Sequence, residues 1–125
     1  MASPCTNAIH YDPDMTHHRE LIRSLQEVAG ADNVLAEPTE LVVYECDGYV
    51  VEKRAPDVVV FPQSAEQIQR IVRLCNTHDV PFVPRGAGTS LAGGTLPVGG
   101  GVMISLTRMK RILDVNFRDR FAVVE

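Results

Sequence analysis

The glycines of this chain are concentrated in one short stretch. Seven of its nine glycines lie between Gly86 and Gly101, within 125 residues overall. Glycine permits positive φ angles and lets another group approach the main chain closely, so such a cluster indicates tight turns or a ligand against the backbone. The stretch is interleaved with Leu91, Leu96 and Pro97, whereas flexible glycine-rich linkers avoid stiff and apolar residues. A structured loop is therefore favoured over a linker.

The residues before this loop predict a β-α-β unit. Residues 58–61 form a continuous run of β-branched and aromatic side chains, typical of a strand covered on both faces. Ser64 and Gln67 fit the two ends of a capping box. The apolar residues that follow repeat at helical spacing: Ile68, Ile71, Val72 and Cys75. The next apolar run, at 80–83, then predicts a second strand parallel to the first.

Further elements are predicted on both sides of this unit. An amphipathic helix is expected to begin with Thr16 as its cap and to end at Gly30, followed by a short strand at 34–35. Thr39 can start a second short helix through Tyr44. Beyond the loop, strands are predicted at 102–106, 112–117 and 121–124. The length suits one domain, and the fold class is α/β, in the mixed sense that includes α+β.

Charge and cysteine usage exclude several classes of protein. Lys plus Arg number 12 and Asp plus Glu 16, a net charge of −4, so no basic footprint exists and no nucleic acid partner is expected. Cys5, Cys46 and Cys75 are odd in number and widely spaced, which suggests neither a disulfide framework nor a zinc ribbon. Adjacent histidines at 17 and 18 lack metal-ligand spacing. The polar, acidic N-terminus and the lack of a membrane-spanning apolar run predict a cytoplasmic protein.

Two common phosphate-binding motifs fail on their spacing. A P-loop needs a Gly-Lys-Ser/Thr ending, but no lysine lies between Lys53 and Lys110. A Rossmann fingerprint needs a third glycine where Leu91 stands, and it opens into a long helix, which Pro97 forbids. The order that remains is strand, loop, strand.

In that arrangement, successive backbone N–H groups can form a concave nest for a pyrophosphate. The candidate nest runs from Gly86 to Leu91, with the hydroxyls of Thr89 and Ser90 as additional donors. Arg85 has two interpretations, one in which it balances the charge of the anion and one in which it forms a surface ion pair. The sequence leaves both open.

The loop sequence resembles that of a known family. Residues 84–94, PRGAGTSLAGG, closely resemble the pyrophosphate loop of the FAD-linked oxidases of the vanillyl-alcohol oxidase / p-cresol methylhydroxylase (PCMH) type. The segments YECDG at 44–48, VVFP at 59–62, SLTRM at 105–109 and ILD at 112–114 are similar to the FAD subunit of glycolate oxidase and its D-lactate dehydrogenase relatives. The resemblance covers nearly the whole chain beyond its polar lead.

The resemblance implies a cofactor and its contacts. The cofactor is FAD, and the implied cofactor-binding residues are Pro84, Arg85, Gly86, Ala87, Gly88, Thr89, Ser90, Leu91, Gly93 and Gly94. Some relatives attach FAD covalently through a histidine in this loop. Thr89 stands at the corresponding place here and has no nucleophilic nitrogen, so FAD is expected to be non-covalent.

The resemblance also implies an activity that belongs to a longer protein. The full-length enzyme would be a flavin-dependent oxidoreductase of small 2-hydroxy acids such as glycolate or D-lactate. Other glycolate oxidase subunits are implied as partners, through which it could lie at the inner membrane. Family members continue into a second lobe and a substrate-covering domain, so this chain is expected to be truncated, with exposed apolar surface.

The expected organisation is a polar lead at 1–15, a helical segment at 16–56 and the first part of the PCMH-type FAD-binding domain at 57–125. The family's substrate and metal ligands lie in later parts, so no catalytic or metal residue is assigned. The alternative interpretation is a truncated, non-catalytic module that binds a protein partner.

Overall fold

The computed structural model describes residues 15–48 and 50–125. Its helices are α1 (Met15–Ala29), α2 (Pro38–Leu41) and α3 (Ala65–Thr77), with 3₁₀ turns at Ala31–Asn33 and Val42–Tyr44. Its strands are β1 (Val34–Leu35), β2 (Val58–Val60), β3 (Phe82–Arg85), β4 (Val102–Ser105), β5 (Ile112–Asn116) and β6 (Phe121–Val124). Each predicted helix and strand is present, but β3 lies two residues beyond the predicted run at 80–83, because the Val80 N–H still donates to the Cys75 carbonyl at the end of α3, at 2.8 Å. The polar lead lies outside the described residues except for Met15, which is helical.

Four strands form one sheet in the order β1-β2-β4-β3. β1 is antiparallel to β2, with Val34 opposite Val60, while β2 and β3 both run parallel to β4. The predicted β-α-β unit therefore has parallel strands, but β4 lies between them and pairs with both. All four residues of β4 are buried, which suits the centre of a sheet covered on two faces.

The two faces of the sheet pack against different segments. Side chains alternate along a strand, so Val58 and Val60 share one face with Ile104, where they pack against α1 and α3. Val59 and Met103 lie on the other face and pack against Leu41 at the end of α2. The predicted covering of β2 on both faces is confirmed, since its three valines are fully buried.

The ends of the helices follow their capping residues. The Ser64 Oγ accepts a hydrogen bond from the Gln67 N–H at 3.3 Å, as predicted, whereas Gln67 Oε1 accepts from the N–H of Gln63 at 2.7 Å, one residue before the position expected in a capping box. α1 already includes Met15, so Thr16 lies inside the first turn and is not its cap. Its predicted end at Gly30 is confirmed, where φ is +94°.

The glycine-rich segment connects β3 to β4. Neighbouring parallel strands need a crossover of about a dozen residues or more, so residues 86–101 run from the carboxyl end of β3 back to the amino end of β4. At that amino end, Gly101 has φ +89° and donates its N–H to Asp57 Oδ2 at 2.5 Å. A Cβ atom at Gly101 would collide with the Pro81 carbonyl. The last glycines therefore serve the entry into β4.

Strands β5 and β6 form a separate antiparallel hairpin. Its apolar side chains are largely exposed, with Ile112 at 69% and Phe117 at 89%. An ion pair between Arg111 Nη2 and Glu125 Oε1, at 2.6 Å, joins the two ends of the hairpin. The predicted exposure of apolar surface is confirmed on this hairpin.

Candidate functional site

The candidate site lies at the carboxyl edge of the sheet. β2, β3 and β4 are parallel, so their carboxyl ends meet at one edge, and the glycine-rich loop leaves β3 there at Gly86. This edge is where open α/β sheets bind ligands. Residues 86–95 contain no helix or strand, which leaves their backbone groups available for other contacts.

The loop presents a run of amides without protein acceptors. Within residues 15–48 and 50–125, none of the backbone N–H groups of residues 86–91 donates a hydrogen bond. The first amide beyond this run that does so belongs to Ala92, which donates to the Ser90 Oγ at 3.4 Å. Six consecutive donors are therefore open to solvent or to an anion.

Two glycines of the loop differ in what surrounds them. Gly88 has φ +74°, the left-handed conformation that an anion-binding nest contains, and a Cβ atom there would collide with the Arg85 guanidinium. Gly86 is different, because a Cβ atom there would have no heavy atom within 4 Å. Gly88 is required by the loop's own conformation, whereas the space beside Gly86 is open.

Arg85 is buried beneath the loop and is only 9% exposed. Side chains alternate along β3, so Arg85 shares a face with Val83, the face covered by residues 41–44. Its Nη2 donates to the Cys46 carbonyl at 2.9 Å, and its guanidinium lies 5.9 Å from the centroid of the Tyr44 ring. Nη1 is buried without a hydrogen-bond partner among the described residues.

The surface ion-pair interpretation of Arg85 is therefore wrong. No carboxylate in the described part of the chain forms an ion pair with it, and its side chain is turned inward. The alternation of side chains along the strand is the physical reason, because it directs Arg85 to the covered face of the sheet.

The other predicted contacts differ in their exposure. Thr89 is exposed, Ser90 is partly buried and Leu91 is 78% exposed. Gly93 has φ +69°, and Gly94 has open space at its Cβ position. The remaining members, Pro84 and Ala87, are exposed at the end of β3 and the start of the loop.

Three residues that contact the loop or its base, and one residue of the loop itself, were not among the predicted contacts. The first three are Cys46, Asp47 and Gly48, and the fourth is Thr95. The Thr95 Oγ1 donates to Asp47 Oδ2 at 3.2 Å, and Gly48 lies against the carbonyl oxygens of Thr89 and Ser90. The YECDG segment carried the family resemblance, but about forty residues separate it from the loop, and no spacing rule links the two.

One ion pair flanks this segment. Glu45 Oε1 lies 2.5 Å from Lys53 Nζ, and this hydrogen bond and charge raise the pKa of Lys53 above its ordinary value. The Arg54 N–H also donates to the Glu45 carbonyl at 2.7 Å. Glu45 therefore joins residues 53–54 to the segment that contacts the loop.

The described residues contain no group of three or more His, Cys, Asp or Glu side chains arranged to hold a metal ion. No helix among them has the length and apolar character needed to cross a bilayer. His17 and His18 both lie on α1.

Comparison with known proteins identifies the family. The family described as "FAD binding domain" matches residues 56–125, more than half of the chain. The chain belongs to this family. FAD, the predicted cofactor, is the ligand after which the family is named, and the mixed α/β fold is the one predicted from the resemblance.

Individual relatives agree with this assignment. The chain is 39% identical over 113 residues to the glycolate oxidase subunit GlcD of Escherichia coli K12, which covers 90% of this chain and 22% of that protein. It is 35% identical over 104 residues to the D-lactate dehydrogenase of Anaerostipes hadrus, covering 83% and 22%. The crystal structure of p-cresol methylhydroxylase with substrate bound matches at a TM-score of 0.79 and 30% identity, covering 88% and 22%. The chain thus spans about a fifth of the length of these proteins.

Proposed function

We propose that this chain is the first lobe of the FAD-binding domain of a flavin-dependent 2-hydroxy acid oxidoreductase, and that residues 86–91 hold the FAD diphosphate. The observation that carries the proposal is the run of six loop amides that have no acceptor among the described residues, at the carboxyl edge of the parallel strands. A diphosphate is an anion that needs several convergent N–H donors, and backbone nests supply them.

Each predicted contact has a role in this proposal. The amides from Gly86 to Leu91 would donate to the phosphate oxygens, and the Thr89 and Ser90 hydroxyls would add two donors. Arg85 would supply positive charge from below, consistent with its unpartnered Nη1. The open space beside Gly86 leaves room for the ligand's approach. Pro84, Ala87, Gly93 and Gly94 would shape the entrance and exit of the loop.

The names of the relatives support the proposed substrate class. The printed names of two of them specify glycolate oxidase and D-lactate dehydrogenase, so glycolate, D-lactate or a similar small 2-hydroxy acid is the proposed substrate of the protein to which this lobe belongs. The flavin supplies the redox chemistry, as acceptor of a hydride equivalent from the carbon that bears the hydroxyl. Thr89 in place of a histidine supports non-covalent attachment.

Partners and location are part of the same proposal. GlcD is named as a subunit, which supports association with other subunits of an oxidase. The proposed location is the cytoplasm, with attachment to the inner membrane only through such subunits. The proposed boundary between residues 16–56 and 57–125 separates two segments of one lobe. No observation favours a partner-binding module in place of a cofactor lobe.

The proposal is tested by titration of the chain with FAD, followed by flavin fluorescence together with circular dichroism. We expect saturable binding that ADP and pyrophosphate weaken by competition, whereas riboflavin, which has no diphosphate, binds poorly. Gly86→Val fills the open side of the loop without a clash in the free protein and should weaken FAD binding at least about tenfold.

The control is Gln69→Ala, on the exposed face of α3, which should bind FAD as the unmodified chain does. A folded chain that ignores FAD would overturn the proposal. Equal affinity of Gly86→Val and the unmodified chain would show that the diphosphate lies elsewhere.

A further inference from the structure

Three consecutive residues of the YECDG segment contact the loop or the strand residue from which it begins. The Cys46 carbonyl accepts a hydrogen bond from Arg85, the last residue of β3, at 2.9 Å. Asp47 Oδ2 accepts from the Thr95 Oγ1 at the far end, at 3.2 Å. Between them, a Cβ atom at Gly48 would lie 2.8 Å from the Ser90 carbonyl oxygen and 3.1 Å from that of Thr89. Residues 46–48 are called the supporting segment below.

The loop has few contacts of its own that could fix its shape. Among the described residues, the hydrogen bonds within residues 86–101 are from the Ala92 N–H to Ser90 Oγ at 3.4 Å, from the Leu96 N–H to the Gly93 carbonyl at 3.1 Å and from the Gly100 N–H to the Pro97 carbonyl at 3.1 Å. A glycine-rich backbone with so few internal hydrogen bonds has large conformational freedom. Contacts from another part of the chain must therefore restrict it.

The supporting segment is suited to this task because two of the side chains in its contacts are shielded from water. Asp47 is 6% exposed and Arg85 is 9% exposed, whereas Gly48 lies at the surface. Polar groups at such depth are held by their hydrogen bonds, since leaving one unpaired is costly. Glu45 anchors the same segment from the other side, through Lys53 and the Arg54 N–H.

From these contacts we infer that Asp47, through Thr95, is a positioning residue for the cofactor loop, acting together with Cys46 and Gly48. The supporting segment holds the amides of residues 86–91 in one orientation before the diphosphate arrives, without itself touching the cofactor. Because the loop is already ordered, it loses less conformational entropy when FAD binds, and the affinity for FAD is higher than it would be for a mobile loop. This inference rests on the function proposed above, but it also predicts a property of the ligand-free chain.

The test compares Thr95→Val, which removes the hydroxyl at nearly constant shape, with Thr95→Ser, which keeps it. In the ligand-free chain, backbone ¹⁵N order parameters of residues 86–91 should fall in the valine variant from about 0.8 towards 0.6, while those of β2 and α3 stay unchanged. The dissociation constant for FAD should rise up to about tenfold, the effect of losing one partly buried hydrogen bond to a carboxylate. The serine variant should restore both values.

Asp47→Ala should change both measurements at least as far as Thr95→Val, because it removes the contact with Thr95 together with the other interaction of Asp47. The double variant should be no weaker than Asp47→Ala, because the contact with Thr95 is already lost there. The control is Thr77→Val, which removes a hydroxyl hydrogen bond of 2.9 Å to the Arg73 carbonyl on α3 and should leave both measurements unchanged. If Asp47→Ala fails to fold, the two Thr95 variants alone decide.

Unchanged loop order in Thr95→Val would overturn the inference, whether or not the chain binds FAD. An equal loss in Thr95→Ser and Thr95→Val would also overturn it, because the hydroxyl would not be the cause. A chain that does not bind FAD but shows the predicted loss of loop order would contradict the proposed function and leave the positioning role intact.

Discussion

Arg85 donates a hydrogen bond from Nη2 to the backbone carbonyl of Cys46 at 2.9 Å, across 39 residues of sequence. Arg85 is the last residue of β3, and the same guanidinium packs over the ring of Tyr44. The bond therefore joins the edge of the sheet to the segment that covers it. Because Arg85 is almost fully buried, this contact belongs to the structural base of the loop and not to its exposed surface.

We expect Arg85→Ala to lower the free energy of unfolding by about 2 to 3 kcal/mol, because it leaves the Cys46 carbonyl unpaired and removes packing from Tyr44. The unfolding free energy of Arg85→Lys should lie between those of Arg85→Ala and the unmodified chain, since an ammonium keeps the charge but lacks the planar guanidinium group. Urea unfolding measures the difference. An alanine variant as stable as the unmodified chain would show that the buried guanidinium contributes nothing to the fold.

Gly88→Ala should change the conformation of the loop, although it adds only one methyl group. Its φ of +74° strains any residue with a Cβ atom, and that atom would collide with Arg85. Gly30→Ala is a matched control, since Gly30 also has a positive φ, +94°, but lies after α1. Both variants should lose about 1 to 3 kcal/mol of unfolding free energy by denaturant titration, whereas Gly88→Ala alone should lose FAD affinity. Equal affinities in the two variants would contradict this assignment.

The strands were predictable because their signals are local. The valines of β2 and the capping serine before α3 lie within a few residues of the features they specify. The position of β4 between β2 and β3 was not predictable in this way, because strand order depends on contacts between residues far apart in sequence. The glycine cluster was predicted as one requirement, yet Gly88 serves the loop and Gly101 serves the entry into β4.

The candidate site was also predictable only where its signals are local in the sequence. The amides of the loop could be proposed from composition and spacing, whereas the supporting segment could not. The sequence did contain one signal that the side chain of Arg85 is buried. Arg85 follows Val83 by two residues in a strand, and Val83 packs on a covered face, so the period of two directs Arg85 inward.

Gly101→Ala is expected to destabilise the fold by about 3 kcal/mol or more, since it combines a strained φ with a collision against the Pro81 carbonyl. Gly94→Ala is the control for stability, because a Cβ atom there meets nothing within 4 Å. It should change the unfolding free energy by no more than about 0.5 kcal/mol. Thermal and urea unfolding of the two variants provide the comparison, and similar stabilities would contradict the proposed role of Gly101.

Ser64→Ala should cost about 1 kcal/mol of stability, because it removes the acceptor for the Gln67 N–H at the start of α3. Ser64→Asp should retain most of the stability of the unmodified chain, since aspartate is an equally good cap.

Glu66, in the first turn of α3, gives the stability of the chain a pH dependence. The pKa of the Glu66 carboxyl is lowered, first by its own backbone N–H and then by the Ser64 hydroxyl. The stability that the ionised Glu66 contributes to the fold is therefore present above its ordinary pKa, and it is lost as the pH falls through the lowered pKa. A Glu66→Gln variant should have a flatter stability curve in that acidic range.

Cys75 should be an unreactive thiol in the folded chain. It is fully buried on α3, and this burial raises the pKa of its thiol from 9.0 to about 11. In a Cys5→Ser, Cys46→Ser background, a thiol reagent at pH 8 should therefore label Cys75 only when the chain unfolds. Because the raised pKa belongs to the folded state, the associated stability is complete below pH 9 and is lost as the pH rises through about 11. In Cys75→Ala, the unfolding free energy should fall less at alkaline pH, because the thiol is absent. Rapid labelling of Cys75 in the native chain would contradict its burial.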